Sequence, residues 1–315
     1  MRRILFILLL TLSLHTSAQE QQVRLLYWNV QNGMWDGQGD DYRRFTDWVA
    51  QQAPDICVWC EAMKLYKTGT NKRSKEGKKK CIARWQRLAQ RYGHQYVYLS
   101  ACHDNYPQLI TSRYPLTEQR LITGNNDTIV SHGAGWFTAQ IGTQTINIVT
   151  LHAWPKMWAP GISKSERQKS ADDHQGDKHR QKEVEYICKH TILTHPQAED
   201  EYWMMMGDFN ALSSLDKDTY NKDSLDVAFL SHNYILGNTP YRDVIKHSYP
   251  DEFVPSAGYD KRRIDYVYLT PRLLSKVKKA FMAWDEFSAP RRDILQQSNF
   301  YHPSDHLPII VDFEL

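Results

Sequence analysis

The sequence predicts a mixed or antiparallel α+β fold, and three observations carry that prediction. Short apolar segments rich in β-branched and aromatic residues recur from Val23 to Phe313. Amphipathic helical patterns interrupt them at irregular intervals rather than after every strand. Hairpin-like pairs, such as the runs on either side of Gly142-Thr143, make consecutive strands antiparallel and disfavour a regular doubly wound sheet.

The chain opens with Arg2-Arg3, an apolar run from Ile4 to Leu14, and Thr16-Ser17-Ala18, the pattern of an export signal cleaved after Ala18. The run is too short for a membrane anchor, so residues 1–18 read as a leader and 19–315 as the mature domain, exported to the periplasm or fully secreted. The first strand, Val23 to Trp28, ends at Asn29. Phe45, Trp48 and Val49 then mark a helix, and Ile56 to Cys60 a strand ending at Glu61. Lys64 to Lys80 reads as a long surface loop, followed by a helix carrying Ile82, Trp85, Leu88 and Ala89. Strands are expected at Tyr96 to Leu99, Leu109 to Thr111, Trp136 to Ile141, and Ile146 to Leu151, the last closed by His152. A second long loop is expected from about Ala153 to Asp177, then a helix with Val184, Ile187 and Cys188 within roughly 178–193. Strand Tyr202 to Met206 runs into Gly207-Asp208-Phe209-Asn210, Ile264 to Leu269 contains Asp265, and Ser304-Asp305-His306 precedes the final strand, Ile309 to Phe313.

Composition fits an ordinary globular enzyme: 315 residues, 41% hydrophobic, with a net charge of +3 that neither requires nor excludes a polyanionic partner. There is no internal repeat, Gly/Ser linker or Pro-rich segment, and the polar strand-end residues run from 29 to 306, which argues for one domain. A monomer without a stable membrane anchor is expected. Export would allow one or two disulfides among Cys60, Cys81, Cys102 and Cys188, and the sequence ranks no pairing. Cys57 and Cys60 have CxxC spacing but occupy a strand, where residues three apart face opposite ways, so they read as small buried hydrophobes.

Each strand-end polar group is ambiguous alone. Glu61 suits a hard cation, because Mg²⁺ prefers carboxylate oxygen and water, but an acid after a strand is more often simply solvated. Asn29 carries the same ambiguity, and a lone His152 would more often be structural. The glycine of Gly207-Asp208-Phe209-Asn210 permits a sharp exit from the strand, leaving Asp208 to hold a metal or act as a base. If the backbone stays extended, Asn210 shares the face of Asp208; the bland alternative is an Asp/Asn turn that satisfies its own backbone. Asp265 sits among strand hydrophobes and needs a partner, for which His306 is the natural candidate.

Taken together, Trp28-Asn29-Val30, Cys60-Glu61, Thr111-Ser112-Arg113-Tyr114-Pro115-Leu116, Leu151-His152, Gly207-Asp208-Phe209-Asn210, Arg263-Ile264-Asp265-Tyr266 and Ser304-Asp305-His306 are specific. The set resembles, in order and over essentially the whole mature chain, the endonuclease/exonuclease/phosphatase superfamily, which includes pancreatic-type deoxyribonucleases, abasic-site endonucleases, bacterial sphingomyelinases and inositol polyphosphate phosphatases. The resemblance implies a four-layer α/β/β/α sandwich of two mixed, mainly antiparallel sheets packed face to face, with a metal site on one edge. It implies that Glu61, Asn29 and Asp305 hold a divalent metal, most simply Mg²⁺, with Mn²⁺ or Ca²⁺ as alternatives. Asp208 would position and deprotonate water, Asn210 would orient the phosphate, and His152 and His306, the latter held by Asp265, would stabilise the phosphoryl oxygens. Base and acid roles between Asp208 and His306 stay open. Histidine at 152 resembles the deoxyribonuclease and sphingomyelinase branches, since abasic-site endonucleases have a tyrosine in that role.

The expected activity is hydrolysis of phosphodiester bonds by an exported metal-dependent phosphoesterase, most simply a nuclease. Lys64, Lys67, Lys72, Arg73, Lys75, Lys78, Lys79 and Lys80 face the single acid Glu76 and would attract nucleic acid, unless they form only a solvated loop. Trp154 and Trp158 would stack on a base, dip into lipid headgroups, or pack their own loop onto the domain. A sphingomyelinase-like or inositol-phosphate-type phosphoesterase is the alternative. A non-catalytic binding protein on this fold is disfavoured because every ligand and base is present.

Overall fold

The computed structural model describes residues 21–31, 33–34, 39–63, 75–101, 106–122, 129–257, 261–288 and 304–315. The leader residues 1–18, Cys102, and most of the basic stretch, from Lys64 to Arg73, lie outside them. In chain order the elements are β1 Gln22–Asn29, α1 Arg43–Gln52, β2 Ile56–Cys60, α2 Lys75–Arg91, β3 Tyr96–Ala101, β4 Gln108–Ser112, β5 Leu116–Ile122, β6 Ala134–Ile141 and β7 Gln144–His152. There follow α3 Arg167–Asp172, α4 Gln175–Lys189, β8 Tyr202–Asp208, α5 Lys217–Tyr220, α6 Leu230–Asn238, β9 Arg242–Asp243, α7 Val244–Ser248, β10 Asp265–Leu269, α8 Pro271–Leu274, β11 Val277–Met282 and β12 Ile309–Glu314.

The strands form two six-stranded sheets, ordered β11-β12-β1-β2-β4-β3 and β5-β6-β7-β8-β10-β9. Each contains one parallel pair, β1 with β2 and β7 with β8, and its other pairs are antiparallel. A parallel pair requires a crossover, here made by α1 in the first sheet and by α3 and α4 in the second.

Strand periodicity sorts the side chains into three apolar layers. Leu25 and Tyr27 of β1, Val58 of β2, Ile148 of β7, Met204 and Met206 of β8 and Val311 of β12 fill the space between the sheets. The alternate residues Leu26, Trp28, Cys57 and Trp59 face outward against Phe45 of α1 and Trp85 of α2. Val149, Leu151, Trp203 and Met205 likewise meet Val184 and Ile187 of α4 and Ile235 of α6. Because both faces of the central strands are buried, they read as continuous apolar runs rather than alternating ones. The outcome is the four-layer α/β/β/α sandwich.

Three expectations need correction. Lys64 to Lys80 is not loop throughout: α2 begins at Lys75, its first turns too polar to register as amphipathic. The stretch from 153 to 177 is not one loop either, since it contains α3 and the start of α4. Cys57, Cys60, Cys81 and Cys188 are buried, and Cys60, Cys81 and Cys188 belong to three different apolar layers, which prevents their pairing with one another. Among the described residues no helix is long and apolar enough to cross a membrane.

Candidate active site

The carboxyl ends of both parallel pairs deliver polar side chains to one edge of the sandwich. In the first sheet β1 ends at Asn29, opposite Cys60, and Glu61 follows β2 directly. In the second, His152 ends β7 opposite Asp208 of β8, and Asp208 is opposite Asp265 of β10, so three adjacent strands carry a polar row at one register. The two sheets meet there: His152 Nε2 lies 3.8 Å from Glu61 Oε1 and 3.7 Å from Asp208 Oδ2. Asn29 spans the same gap by donating its Nδ2 hydrogen to Asp208 Oδ2 at 3.0 Å, while its Oδ1 accepts from the Gln31 backbone.

The segment before β12 is docked on the end of β1. Ser304 donates to the Asn29 carbonyl and accepts from the His306 backbone N–H, and the Trp28 indole donates to the His306 carbonyl at 2.8 Å. His306 Nδ1 is thereby placed 2.7 Å from Asp265 Oδ2. Asp265, fully buried, also accepts from Tyr27 Oη at 2.8 Å and from Ser256 Oγ at 2.7 Å. The other ring nitrogen, Nε2, faces Asp305 at 3.8 Å and Asp208 at 4.0 Å.

Burial and charge set different protonation for these groups. Burial raises the Asp208 carboxyl, the neighbouring charges of Asp265 and Glu61 raise it further, and His306 only partly opposes them, so it reaches about 7. Burial disfavours the charged form of His306, but the Asp265 charge and hydrogen bond, with Asp208 and Asp305, overcome it and hold the imidazole well above its ordinary value. His152 goes the other way. Burial, then the like charges of His132 and His306, press it well below 6.5, and it stands neutral.

Glu61, His152, Asp208, Asn210, Asp305 and His306 border a cleft of about 190 Å³, together with Gln31, Tyr106, His132, Pro155 and Lys156. Sequence reasoning misses the latter group, in which only His132, close before a strand, offers a visible signal. Trp154 donates its indole N–H to the Trp158 carbonyl and stacks beside the His132 ring, and the Arg167 guanidinium lies over the Trp158 ring, so the two tryptophans pack their own segment. Gly207 does not supply the expected sharp exit, since β8 continues through Asp208; its hydrogen side faces Leu151, whose carbonyl oxygen would stand 2.0 Å from an added Cβ. The backbone does not stay extended to Asn210 either. Asn210 has φ +49°, and its N–H donates to Asp208 Oδ1 at 2.9 Å in an Asx turn, while its Nδ2 donates to the Ala153 carbonyl. Glu61 shares this left-handed backbone at φ +53°, which turns its side chain out of the strand line into the cleft.

The donor set fits a divalent cation. Among the described residues, Glu61, His152 and Asp208 bring ligand atoms within 4.8 Å of one another, as do Asp208, Asp265 and His306; Asp305 belongs to neither group. Both ring nitrogens of His152 and Gln31 Oε1 are buried without a hydrogen-bond partner among the described residues. Unpaired buried polar atoms beside crowded carboxylates are what a cation and its bound anion would satisfy.

Residues 26–306 match the Endonuclease/Exonuclease/phosphatase family. No curated protein matches the chain in sequence. Among solved structures, an AP endonuclease from Archaeoglobus fulgidus is similar at 15% identity and a TM-score of 0.58, covering 93% of this chain and 100% of that one. TDP2 from D. rerio complexed with a single-strand DNA product is 16% identical, with a TM-score of 0.55 over 93% of this chain and 99% of that one. An endonuclease/exonuclease/phosphatase family protein from Bacteroides thetaiotaomicron is 13% identical, with a TM-score of 0.55 over 94% and 100%. At such identities the likeness shows the fold, and the sequence match over nearly the whole sandwich, together with the site it encloses, shows the lineage: the chain belongs to the endonuclease/exonuclease/phosphatase family of phosphoester hydrolases.

Proposed function

We propose that the protein is an exported, divalent-metal-dependent phosphodiesterase whose substrate is nucleic acid. The observation that carries this reading is the convergence of Glu61, His152, Asp208 and the Asp265–His306 pair on one cleft. Glu61, Asp305 and the side-chain oxygen of Asn29 are the oxygen donors we assign to the cation, an all-oxygen set that suits Mg²⁺, with Mn²⁺ or Ca²⁺ as substitutes. When bound, the ion neutralises charge on a phosphoryl oxygen.

The chain's own residues supply the rest. Asp208, its carboxyl near 7, is a base matched to neutral pH and takes the proton of the attacking water. Its second anchor, Asn29, keeps that carboxylate aimed into the cleft. His306 enters as the imidazolium, held by Asp265, and donates from Nε2 to the phosphate group at its leaving ester oxygen, giving the departing hydroxyl its proton as negative charge builds there. Neutral His152 donates one N–H to the same group without adding a charge. Asn210, with Nδ2 on the Ala153 carbonyl, keeps a second amide hydrogen for the phosphate.

The size and charge of the surroundings support a polymer. At about 190 Å³ the cleft is smaller than the roughly 300 Å³ at which pockets for whole small molecules begin, but admits one phosphodiester of a strand lying across the edge. Lys79 and Lys80 are exposed on α2, and further lysines precede them in sequence. A second reading, hydrolysis of a lipid headgroup, is favoured by Met157, 67% exposed beside the cleft-lining Lys156. Purified protein with Mg²⁺, Mn²⁺ or Ca²⁺ should cleave DNA or RNA and stop on addition of EDTA. Release of phosphocholine from sphingomyelin vesicles, or of phosphate from an inositol phosphate, without nucleic-acid cleavage would replace the nuclease reading.

A further inference from the structure

Glu183, in the middle of α4, is fully buried and does not border the cleft. Its two oxygens reach separate segments. Oε1 accepts from the Ser131 backbone N–H at 2.7 Å, and Oε2 from the Trp154 backbone N–H at 2.8 Å. Those segments are the two flanks of the open end of the β6–β7 hairpin, where the ladder stops at the Ala134–Leu151 pair. One carboxylate thus joins the flanks where ladder bonds no longer do.

The residues so fixed stand next to the two histidines of the cleft: Ser131 precedes His132, and Trp154 follows His152 by two. The two histidine rings are in tilted contact, with centroids 4.2 Å apart and planes at 33°. The distance between the flanks sets this contact, and with it the position of His152 against Glu61 and Asp208. Two further bonds brace the same junction from α4, Ser131 Oγ to His179 Nε2 at 3.0 Å and Arg180 Nη1 to the Trp154 carbonyl at 2.9 Å.

We infer that Glu183 is a positioning residue for the His132–His152 pair, acting through the two backbone N–H groups that it ties together. Its consequence for catalysis rests on the phosphoesterase reading; its consequence for the geometry of the histidines does not.

The test uses Glu183→Gln, whose amide can accept from one N–H but turns an NH₂ toward the other, and Glu183→Asp, too short to hold both. With Mg²⁺ and bis(p-nitrophenyl) phosphate, kcat should fall by at least about tenfold in both variants, with KM changed by less than about threefold. Imidazole ¹H–¹⁵N spectra of the metal-free proteins should show the His132 and His152 signals displaced, while those of His94 and His232, buried elsewhere, stay in place. In the wild type, the Ser131 and Trp154 amides should exchange with solvent as slowly as those of the β6–β7 ladder, a measurement that stands even if neither variant folds. Unmoved His132 and His152 signals, equal displacement of all four histidines, unchanged kcat, or fast exchange at the two amides would overturn the inference. A wild type without hydrolytic activity would sink the phosphoesterase reading and leave the spectra and exchange rates to decide the role of Glu183.

Discussion

Asp265→Asn should move both limbs of the pH–rate profile to lower pH. The substitution keeps the shape of a fully buried side chain and removes its charge, on which both Asp208 and His306 depend. In the wild type the acid limb reports ionisation of Asp208, and a bound cation lowers its value, so that limb lies at or below about pH 7. The alkaline limb reports loss of the His306 proton, well above 6.5. Without the Asp265 charge and hydrogen bond, only Asp208 and Asp305 oppose the burial that presses His306 down, so its value falls, and Asp208 loses one of the charges that raise it. The neutral amide also turns an NH₂ toward groups that now donate to it, from Tyr27 at 2.8 Å, Ser256 at 2.7 Å and His306 at 2.7 Å, so at least one of those hydrogen bonds must break or reverse its direction. Loss of an oriented imidazolium costs about 10² to 10⁴ in kcat at neutral pH, roughly 3 to 5 kcal/mol of transition-state stabilisation. Folding stability follows the same linkage. Because the folded-state pKa of His306 is raised, its contribution is complete below about pH 6.5 and is lost as pH rises through the higher folded value, a dependence the variant should weaken. Oligonucleotide cleavage with Mg²⁺ and urea midpoints, both measured from about pH 5 to about pH 10, read these effects. An alkaline limb that stays at the wild-type position would refute the assignment of His306 as the Asp265-held acid.

Other parts of the structure make separate predictions. Gly207→Ala places a Cβ 2.0 Å from the Leu151 carbonyl oxygen and should cost about 1–3 kcal/mol or more, seen as a lower urea midpoint, with loss of activity because Asp208 is the next residue. Arg263→Leu strips the buried carboxylates Asp216 and Asp243 of their shared cation and should destabilise the fold by about 3–5 kcal/mol in equilibrium unfolding; a change under about 1 kcal/mol would show that the pair is not held as described. Replacing Lys79 and Lys80 by Ala should weaken DNA binding and flatten the slope of log K against log salt by about one for each phosphate no longer neutralised, leaving bis(p-nitrophenyl) phosphate hydrolysis unchanged.

The residues that end apolar strands are readable because chemistry and strand pattern coincide at them: Glu61, His152 and Asp208 each close a hydrophobic run, and the structure brings all three together. Strands without that pattern are not readable. β5 (Leu116–Ile122) is an edge strand whose middle residues face solvent, β9 has two residues, and β11, also at an edge, carries two lysines. The sequence allows the turn at Asn210 without selecting it over an extended exit, because a side-chain acceptor such as Asp208 Oδ1 leaves no mark on hydrophobic periodicity. Tyr27 and Ser256, which hold Asp265, and Glu183, which braces the hairpin end, are invisible for a related reason: each acts through a partner distant in sequence or a backbone group. Gly207 shows a third limit, since close approach of a neighbouring strand is a property of the sheet rather than of the segment.

Whether one metal-dependent site at the sandwich edge hydrolyses nucleic acid, with Asp208 as base and His306 as acid, is decided by a single comparison. Wild type, Asp208→Ala and His306→Ala are assayed on single- and double-stranded DNA and on RNA, with Mg²⁺ and again with EDTA. Cleavage is expected from the wild type with Mg²⁺, abolished by chelation and reduced at least about 10²-fold in each variant. Cleavage that survives chelation, or persists in both variants at the wild-type rate, would overturn this mechanism.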